Sequence, residues 1–355
     1  MTATFWRGRR VFLTGHTGFK GSWLTLLLAK MGANVSGFAL APSTEPNLYG
    51  LAGVEAALAA STISDLRDRD ALARAMAAAD PEVIFHLAAQ PLVRESYADP
   101  VGTYATNVLG TAHLLDAARH QPNLQAVVIV TTDKCYENSE WIWGYRENDR
   151  LGGHDPYSNS KACAELVTDS FRRSFFKVTP GAARIATVRA GNVVGGGDWS
   201  KDRLVPDILR GCFSPSGEVI IRNPAAVRPW QHVLDPLWGY ILLAEILAGG
   251  IAGFDEGWNF GPPAEDVRPV IEVAEAMVAA VGTGKLVINQ DPRAPHEANL
   301  LQLDSTKART RLTWRPKLGF SGTIAMTADW YRAWACGEDM AAFTLAQISQ
   351  YEAIT

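Results

Sequence analysis

The chain has few cysteines for its length: only Cys135, Cys163, Cys212 and Cys336 among 355 residues. No two of them form a C-x-x-C pair, and four thiols are too few to cross-link a chain of this size, which excludes a disulfide framework. We therefore expect four free thiols in a reducing cytoplasm. The seven histidines show no metal-ligand spacing either, so we expect no metal site.

The chain also lacks an excess of positive charge and any long apolar run. Its net charge is −4 and its isoelectric point is about 6.0, which disfavours a nucleic acid bound through its phosphates. The first apolar run, RVFLTG, is too short for a signal peptide, and no run has the length of a membrane span. With 47% hydrophobic and 20% charged residues, the chain is typical of a packed protein that binds small molecules or proteins.

What is present from residue 9 to about 190 is an alternation of short apolar runs with longer helical patterns. This alternation, with strands that are apolar throughout, predicts an α/β fold: a doubly wound parallel sheet covered by helices on both faces. The predicted strands are 10–14, 34–40, 82–88, 125–131 and 183–190, and the predicted helices are 21–33, 70–79, 103–120 and 158–176.

After residue 190 the pattern changes to loops rich in Gly, Pro and Trp, with shorter helices. We expect a dinucleotide-binding domain over 1–190, completed by parts of 230–265, and a smaller lobe over 191–355 that is shaped around a ligand. The final helical stretch, 321–353, is predicted to be a packed lid or an interface.

The first predicted strand runs into TGHTGFKG, which places Gly15, Gly18 and Gly21 in a G-x-x-G-x-x-G array at the start of a helix. Glycines here let backbone amides approach a pyrophosphate, and the helix N-terminus favours its negative charge. A tight turn that binds nothing is the alternative. The position in the first βα unit favours binding.

A dinucleotide site usually has an acidic residue at the end of the second strand, and this chain has Ala39, Leu40 and Ala41 there. No arginine is present at that point, so NAD is favoured over NADP only modestly. Asp65 could contact the adenine, or it could cap the helix that begins near Asp68.

Tyr157 and Lys161 lie four residues apart in DPYSNSK and share one face of a predicted helix. Tyrosine has an ordinary pKa near ~10, but a neighbouring ammonium favours the phenolate and makes the pair a workable proton acceptor. The pair alone occurs often by chance. Its position after TTD and the glycine turn favours catalysis.

The set TGHTGFKG, HLAAQ, NVLGT, TTDK and YSNSK resembles the extended short-chain dehydrogenase/reductase family that modifies nucleotide sugars. Within that family, GHTGFKGSW, HLAAQPLVRESY, TTDKCYEN, GNVVGGGDW and RPWQHVLDP most resemble the branch that acts on CDP-glucose. The resemblance implies a Rossmann domain, NAD, 4,6-dehydration of the sugar for deoxysugar and surface-polysaccharide (lipopolysaccharide) synthesis, and a homodimer or homotetramer joined by a four-helix bundle of 101–120 and 157–176. The cofactor-binding residues that it implies are Gly15, His16, Thr17, Gly18, Phe19, Lys20, Gly21, Asp65, Leu66, Leu87, Ala88, Ala89, Gln90, Thr106, Thr131, Tyr157 and Lys161.

By the same resemblance, Thr132 hydrogen-bonds the sugar C4 hydroxyl, Tyr157 takes its proton, and Lys161 supports the phenolate and the nicotinamide ribose. Asp133 would protonate the departing C6 hydroxyl. Many relatives have a glutamate next, as the base for the C5 proton, whereas this chain has Lys134. A neutral lysine could be that base, an ammonium could stabilise the enolate, or Lys134 could be a surface residue that pairs with Glu137.

The predicted substrate residues follow the sixth strand and lie in the loop-rich lobe. Asn192 and the arginines Arg228 and Arg293 match family residues that bind the diphosphate, although a turn residue and surface charges are the alternatives. The base pocket is expected around GGGDWSKDRLVP. The other predicted contacts are Arg94, Trp199, Arg203, Leu204, Gln231 and His296, with Glu297 as a weaker candidate.

Two other functions remain open from the sequence. A sugar-nucleotide 4-epimerase needs Tyr157 and Lys161 but no acid at C6, so Asp133 argues against it. A regulator that senses NAD without catalysis would be expected to have lost the tyrosine or the lysine, and both are present.

Overall fold

Seven parallel strands form the central sheet in the order β3-β2-β1-β4-β5-β6-β10, in a computed structural model that describes residues 3–289 and 300–354. The twelve strands are β1 Arg10–Thr14, β2 Asn34–Ala39, β3 Ala60–Ile63, β4 Val83–His86, β5 Ala126–Val130, β6 Arg184–Ala190, β7 Asn192–Val194, β8 Glu218–Ile221, β9 Val227–His232, β10 Gly257–Phe260, β11 Val267–Pro269 and β12 Lys285–Ile288. The helices are α1 Ala3–Trp6, α2 Phe19–Lys30, α3 Leu48–Leu51, α4 Arg69–Ala79, α5 Val93–Ala98, α6 Pro100–Tyr104, α7 Gly110–Ala118, α8 Pro156–Phe171, α9 Leu204–Cys212, α10 Leu234–Ala248, α11 Val270–Val281, α12 Thr306–Arg311, α13 Phe320–Ala335 and α14 Met340–Ala353.

The strand order reverses between β1 and β4, which are neighbours in the sheet although two strands separate them in the chain. In open parallel sheets, ligands bind outside the carboxyl ends of the strands at such a reversal. The fold therefore directs the loops after β1 and β4 toward one cleft.

The predicted fold class is confirmed, and all five predicted strands are present within two residues of their bounds. Every residue of β5 is buried, as a strand covered by helices on both faces requires. β3 and β10 were missing from the predicted strands. β3 reads ASTI and is partly exposed at the sheet edge, and β10 reads GWNF between loops, so neither shows a clear apolar run.

The helix predicted over 103–120 is interrupted by a π-helical turn, Ala105–Leu109, between α6 and α7. It begins earlier than predicted, at Pro100, because the Asp99 side chain accepts a hydrogen bond from the Gly102 amide and caps the helix. A second π turn, Arg172–Phe176, continues α8. Such turns insert an extra residue that no helical periodicity reveals.

After residue 190, β10 completes the central sheet, and the remaining strands form two small sheets, ordered β11-β9-β7 and β12-β8. The predicted final helix is two helices, α13 and α14, separated at Gly337, which has φ +76. α14 lies against the first domain, where Glu352 pairs with Lys30. One apolar core runs through both lobes and includes the buried Trp258 and Trp330. Among the described residues, no helix has both the length and the apolar character to cross a membrane.

Candidate active site

The glycine turn connects β1 to α2 and lies against the loop after β4. Gly15 has φ +82, and a Cβ on it would lie 2.7 Å from the Ala88 nitrogen. A Cβ on Gly21 would lie 1.9 Å from the Gly15 carbonyl oxygen, so only glycine lets α2 begin this close to the strand. The first turn of α2 contains no acidic residue. The turn, the helix N-terminus and the strand-order reversal together fit the pyrophosphate of a dinucleotide.

At the adenosine end, His16 takes the space above the second strand. Its Nε2 lies 2.9 Å from the Ser61 hydroxyl, and its ring packs so closely on Gly37 that a Cβ there would lie 2.4 Å from it. Burial lowers the pKa of His16 to about 4, so the ring is neutral. Asp65 binds the Arg67 guanidinium at 2.6 Å, and the cap of α4 is Asp68 instead.

After β4, the segment Leu87–Gln90 is anchored to α6 and the π turn. The Gln90 amide nitrogen donates to Asn107 Oδ1 at 2.9 Å, and its side chain donates to the Thr103 hydroxyl at 2.9 Å. Leu66 packs against the helix at Gly110, where a Cβ would lie 2.5 Å from Leu66. Thr106 lies on the π turn itself. The segment after β4, which contains four of the predicted cofactor residues, is therefore fixed to α6 and the π turn.

Thr132, Asp133 and Lys134 follow the buried end of β5. The Thr132 hydroxyl donates to Asp133 Oδ1 at 3.0 Å and accepts from the Lys134 amide, which fixes the short 3₁₀ helix of 133–135. Asp133 Oδ2 is buried without a hydrogen-bond partner. Burial raises the pKa of the Asp133 carboxyl, while Lys134, the Thr132 hydroxyl, Arg228 and Lys20 oppose that rise. A carboxyl with a raised pKa and one oxygen without a partner is suited to donate a proton to a ligand.

Tyr157 and Lys161 share the inner face of α8, and both are buried. Asp155 caps the helix with Pro156 in its first turn. Burial raises the pKa of Tyr157 to about 12, while a hydrogen bond with Thr132 acts in the opposite direction. The Lys161 ammonium donates to the Val130 carbonyl at 3.2 Å, and burial lowers its pKa to about 8.

Lys20 joins this group from the glycine turn on the other side of the cleft. Burial lowers its pKa to about 7, with further effects from Arg203, Asp133 and Lys161. The nitrogen lies 5.9 Å from the centre of the Tyr240 ring. The structure thus brings one acid and three lysines together, counting Lys134.

The predicted substrate residues are distributed along the cleft rim and the second lobe. Arg94 and Asp202 form an ion pair at 3.4 Å, and Arg203 binds Asp198 at 3.1 Å beside the start of α9 at Leu204. Asn192 begins β7, next to β9 with Arg228 and the fully buried Gln231. Trp199 is 8% exposed and packs on Tyr331 and Trp334, and its Nε1 has no hydrogen-bond partner. Arg293, His296 and Glu297 lie outside the described residues.

Three polar residues of the site were absent from the sequence prediction. Ser96 accepts a hydrogen bond from the Tyr157 amide at 3.1 Å, and Asn107 donates to Ser160 at 2.8 Å. Glu165 lies one helical turn after Lys161 and forms a buried ion pair with Arg189 at 2.8 Å. The four-residue spacing from Lys161 could have identified Glu165, whereas the other two contacts depend on the tertiary fold.

Comparison with known proteins identifies the class. Residues 12–327 match the family described as GDP-mannose 4,6 dehydratase, and the chain belongs to this family of nucleotide-sugar dehydratases. The chain is 51% identical over 354 residues to a CDP-glucose 4,6-dehydratase from Salmonella typhimurium, covering 99% of this chain and 98% of that protein.

Two solved structures share the fold. A dTDP-glucose 4,6-dehydratase double mutant from Streptomyces venezuelae, solved with NAD bound, superposes with a TM-score of 0.77 at 26% identity, covering 93% of this chain and 99% of that one. A UDP-glucose 4-epimerase from Thermotoga maritima, solved with UDP-glucose, has a TM-score of 0.78 at 22% identity and covers 92% and 99% of the two chains. The second likeness concerns the fold alone.

Proposed function

We propose that the chain is an NAD-dependent CDP-glucose 4,6-dehydratase, which converts CDP-glucose to CDP-4-keto-6-deoxyglucose and water. The observation that carries this function is Asp133, a buried carboxyl with one unpartnered oxygen beside Thr132, facing the proton acceptor Tyr157. A 4-epimerase has no use for an acid at this point. The similarity to the Salmonella enzyme over nearly the full length supports CDP-glucose as the substrate.

The residues of the cleft fit NAD. The close approach of Gly15 and Gly21 leaves room for a pyrophosphate at the start of α2, where Lys20 adds a positive charge. The segments after β3 and β4 would hold the adenosine, and Tyr157 and Lys161 would hold the nicotinamide ribose. Bound NAD supplies a hydride acceptor for the sugar C4 and later a hydride donor for C6.

For the oxidation at C4, Thr132 and Tyr157 position the sugar hydroxyl and Tyr157 accepts its proton. With a pKa of about 12, Tyr157 is a phenol at neutral pH in the ligand-free protein. A cation is therefore needed to favour the phenolate, and Lys161 on the same helical face supplies it. Tyr157, supported by Lys161, is therefore the general base that removes the proton of the C4 hydroxyl.

For the elimination, Asp133 donates its proton to the departing C6 oxygen. Burial keeps the carboxyl protonated at a higher pH than in water, as a general acid requires. A C4 ketone makes the C5 proton acidic, so the base for that step need not be strong. Lys134 is the residue next to the acid, partly buried, and Glu137 pairs with Arg150 at 2.8 Å instead of with Lys134. We assign the C5 step to Lys134, as base or as enolate-stabilising cation.

The test of the proposed function is turnover of separate nucleotide sugars. Purified protein and NAD are incubated with CDP-glucose, UDP-glucose, dTDP-glucose or GDP-mannose, and the 4-keto product is followed by its absorbance in alkali. Product from CDP-glucose without net NADH is the expected result. Absence of keto product from all four sugars would refute the function, and an epimerised sugar would replace it with the 4-epimerase.

We also propose that two copies pair through α6–α7 and α8. Apolar side chains remain exposed on these helices, including Val101 at 78%, Leu109 at 56% and Leu166 at 59%. Pairing two such helices from each copy would bury them in a four-helix bundle. A Leu109→Lys/Leu166→Lys variant is expected to elute as a monomer in light scattering, and unchanged mass would contradict this interface.

The proposed product and the free cysteines suggest a cytoplasmic enzyme of surface-polysaccharide synthesis. A 4-keto-6-deoxy sugar nucleotide is a precursor of deoxysugars for surface polysaccharide. All four cysteines are free, which fits a reducing cytoplasm. Incorporation of the deoxysugar into lipopolysaccharide in cells with and without the protein tests this assignment.

A further inference from the structure

Glu165 has an unusually complete set of hydrogen bonds for a carboxylate in the protein interior. Its Oε1 accepts from the Thr131 hydroxyl at 2.5 Å and from Arg189 Nε at 2.9 Å. Its Oε2 accepts from the Thr187 hydroxyl at 2.6 Å and from the second guanidinium nitrogen at 2.8 Å. The ion pair is almost fully buried, with side-chain exposures of 5% for Arg189 and 4% for Glu165.

The four donor groups belong to β6 and to the residue that follows β5, whereas Glu165 lies on α8. Thr131 directly follows β5 and precedes Thr132 and Asp133, whereas Thr187 and Arg189 lie on β6. α8 contributes Glu165 together with Tyr157 and Lys161. The carboxylate therefore ties the helix with the proton acceptor to the strand end with the proton donor.

The other side of Arg189 is also fixed. Its Nη1 donates to the Tyr136 hydroxyl at 2.6 Å and to the Glu147 carbonyl at 3.1 Å. The Tyr136 hydroxyl donates onward to Asn259 Oδ1 at 2.7 Å, and the guanidinium lies 4.9 Å above the Tyr136 ring. A buried ion pair of this kind contributes little net stability compared with apolar side chains, so stability alone is a weak reason for its presence.

Lys161 is the functional group closest to this pair along the helix. Its ammonium is buried with the Val130 carbonyl as acceptor. Burial lowers its pKa to about 8, and the charge of Glu165 is the main opposing influence, followed by Cys135 from the 3₁₀ helix. The other titratable groups that face Lys161 are His86 on β4 and Lys20 on α2.

We propose that Glu165 is a positioning residue for the dehydratase reaction: its carboxylate ties α8, which carries Tyr157 and Lys161, through the Thr131 hydroxyl to the end of β5 that carries Thr132 and Asp133. The inference rests on the proposed function and deepens it. The acid-base chemistry at Tyr157 then depends on a residue that contacts neither substrate nor cofactor.

The test is the pH dependence of kcat in Glu165→Gln. Without the carboxylate charge, Lys161 loses its proton at lower pH and supports the phenolate less. In acid, Lys161 is protonated in both proteins, so kcat is expected to be unchanged there, whereas near and above the wild-type Lys161 pKa of about 8 the variant is expected to lose about tenfold in kcat for each pH unit by which that pKa falls. Arg203, Asp133 and Asp155 also act on Tyr157 and are unchanged in this variant.

Arg189→Lys is the matched control, because it keeps both charges but loses the bidentate contact. It is expected to lower the melting temperature and to keep the wild-type ratio of kcat in alkali to kcat in acid. If both variants lose the same fraction of kcat at every pH, in proportion to their stability, the ion pair is structural and the proposal is wrong.

Two further variants apply if Glu165→Gln does not fold. Glu165→Gln/Arg189→Met leaves no unpaired buried charge and is also expected to lose kcat in alkali rather than in acid. Thr131→Val removes the hydroxyl that contacts Glu165 and, at 3.3 Å, the Val188 carbonyl. It is expected to lower kcat, and an unchanged kcat would overturn the positioning role. Wild-type turnover of CDP-glucose is measured first: its absence refutes the proposed function, whereas an active wild type with an unshifted Glu165 profile refutes only this inference.

Discussion

Replacing Asp133 with asparagine removes one proton from the cleft while leaving the shape of the site. The side chain is only 2% exposed, its Oδ1 accepts from Thr132 at 3.0 Å, and its Oδ2 has no partner. An amide of the same size can keep the Thr132 contact with its oxygen. The variant therefore separates loss of the acid from loss of structure.

The expected loss follows from the role of a general acid, which contributes about 10²–10⁴-fold to a rate. This corresponds to about 3–5 kcal/mol of transition-state stabilisation for C6–O cleavage. The folding stability of Asp133→Asn should stay the same or rise, although its activity falls. Because burial raises the pKa of Asp133 in the folded protein, the wild type loses stability as pH rises from the unfolded pKa through the folded one. The asparagine side chain does not titrate, so the Asp133→Asn variant should melt at the same or a higher temperature near pH 8.

The assay compares CDP-glucose with CDP-6-deoxy-6-fluoroglucose, because fluoride leaves without needing a proton. Asp133→Asn should dehydrate CDP-glucose slowly and accumulate NADH, since oxidation at C4 does not use this acid. The fluoro sugar should regain most of the lost rate. Equal losses on both substrates, or a lowered melting temperature, would refute the assignment of Asp133 as the acid.

Further substitutions test other parts of the cleft. Tyr157→Phe should still bind NAD but form no NADH with CDP-glucose, because the C4 hydroxyl keeps its proton; turnover near the wild-type rate would exclude Tyr157 as the base. Lys20 has a pKa of about 7, so its charge is lost as pH rises through and above that value. In titrations with NAD, the affinity of the wild type should fall as pH rises, whereas the affinity of Lys20→Met should not depend on pH. In acid, Lys20→Met should bind NAD about tenfold more weakly than the wild type. The same pH dependence in both proteins would exclude a contact between Lys20 and NAD. Gly21→Ala places a Cβ 1.9 Å from Gly15 and should cost about 3 kcal/mol or more of unfolding free energy in urea. Gly53→Ala, with φ +59 and open space, should cost about 1 kcal/mol, and similar costs at both positions would contradict the close approach.

Much of the first domain follows from local sequence. The run AVVIV predicts a strand buried on both faces, and β5 covers Ala126–Val130 with every residue buried. TGHTGFKG predicts a strand-to-helix turn, and the structure has it between β1 and α2. The four-residue spacing of Tyr157 and Lys161 predicts a shared helical face, which α8 provides. The resemblance carried by these motifs gave the family, which the comparison confirms.

Other features could not be read from local patterns. β3 and β10 lack a clear apolar run and become strands because neighbours in the sheet supply their hydrogen bonds. Trp199 packs against Tyr331 on α13, which lies more than a hundred residues later, and no local pattern predicts that contact. The absence of an acid after β2 was visible in the sequence, but the neutral His16 above Gly37 was not.

The sequence by itself determined the class of fold, the position of the glycine turn and the pair on α8, because these depend on residues that are neighbours in the chain. Only the tertiary structure decided which charges meet. Lys20 from the start of α2 joins Asp133 from the end of β5, and Glu165 forms an ion pair with Arg189 on β6. The physical reason is that burial and distance set the pKa of each group, and both are properties of the packed sheet rather than of any segment.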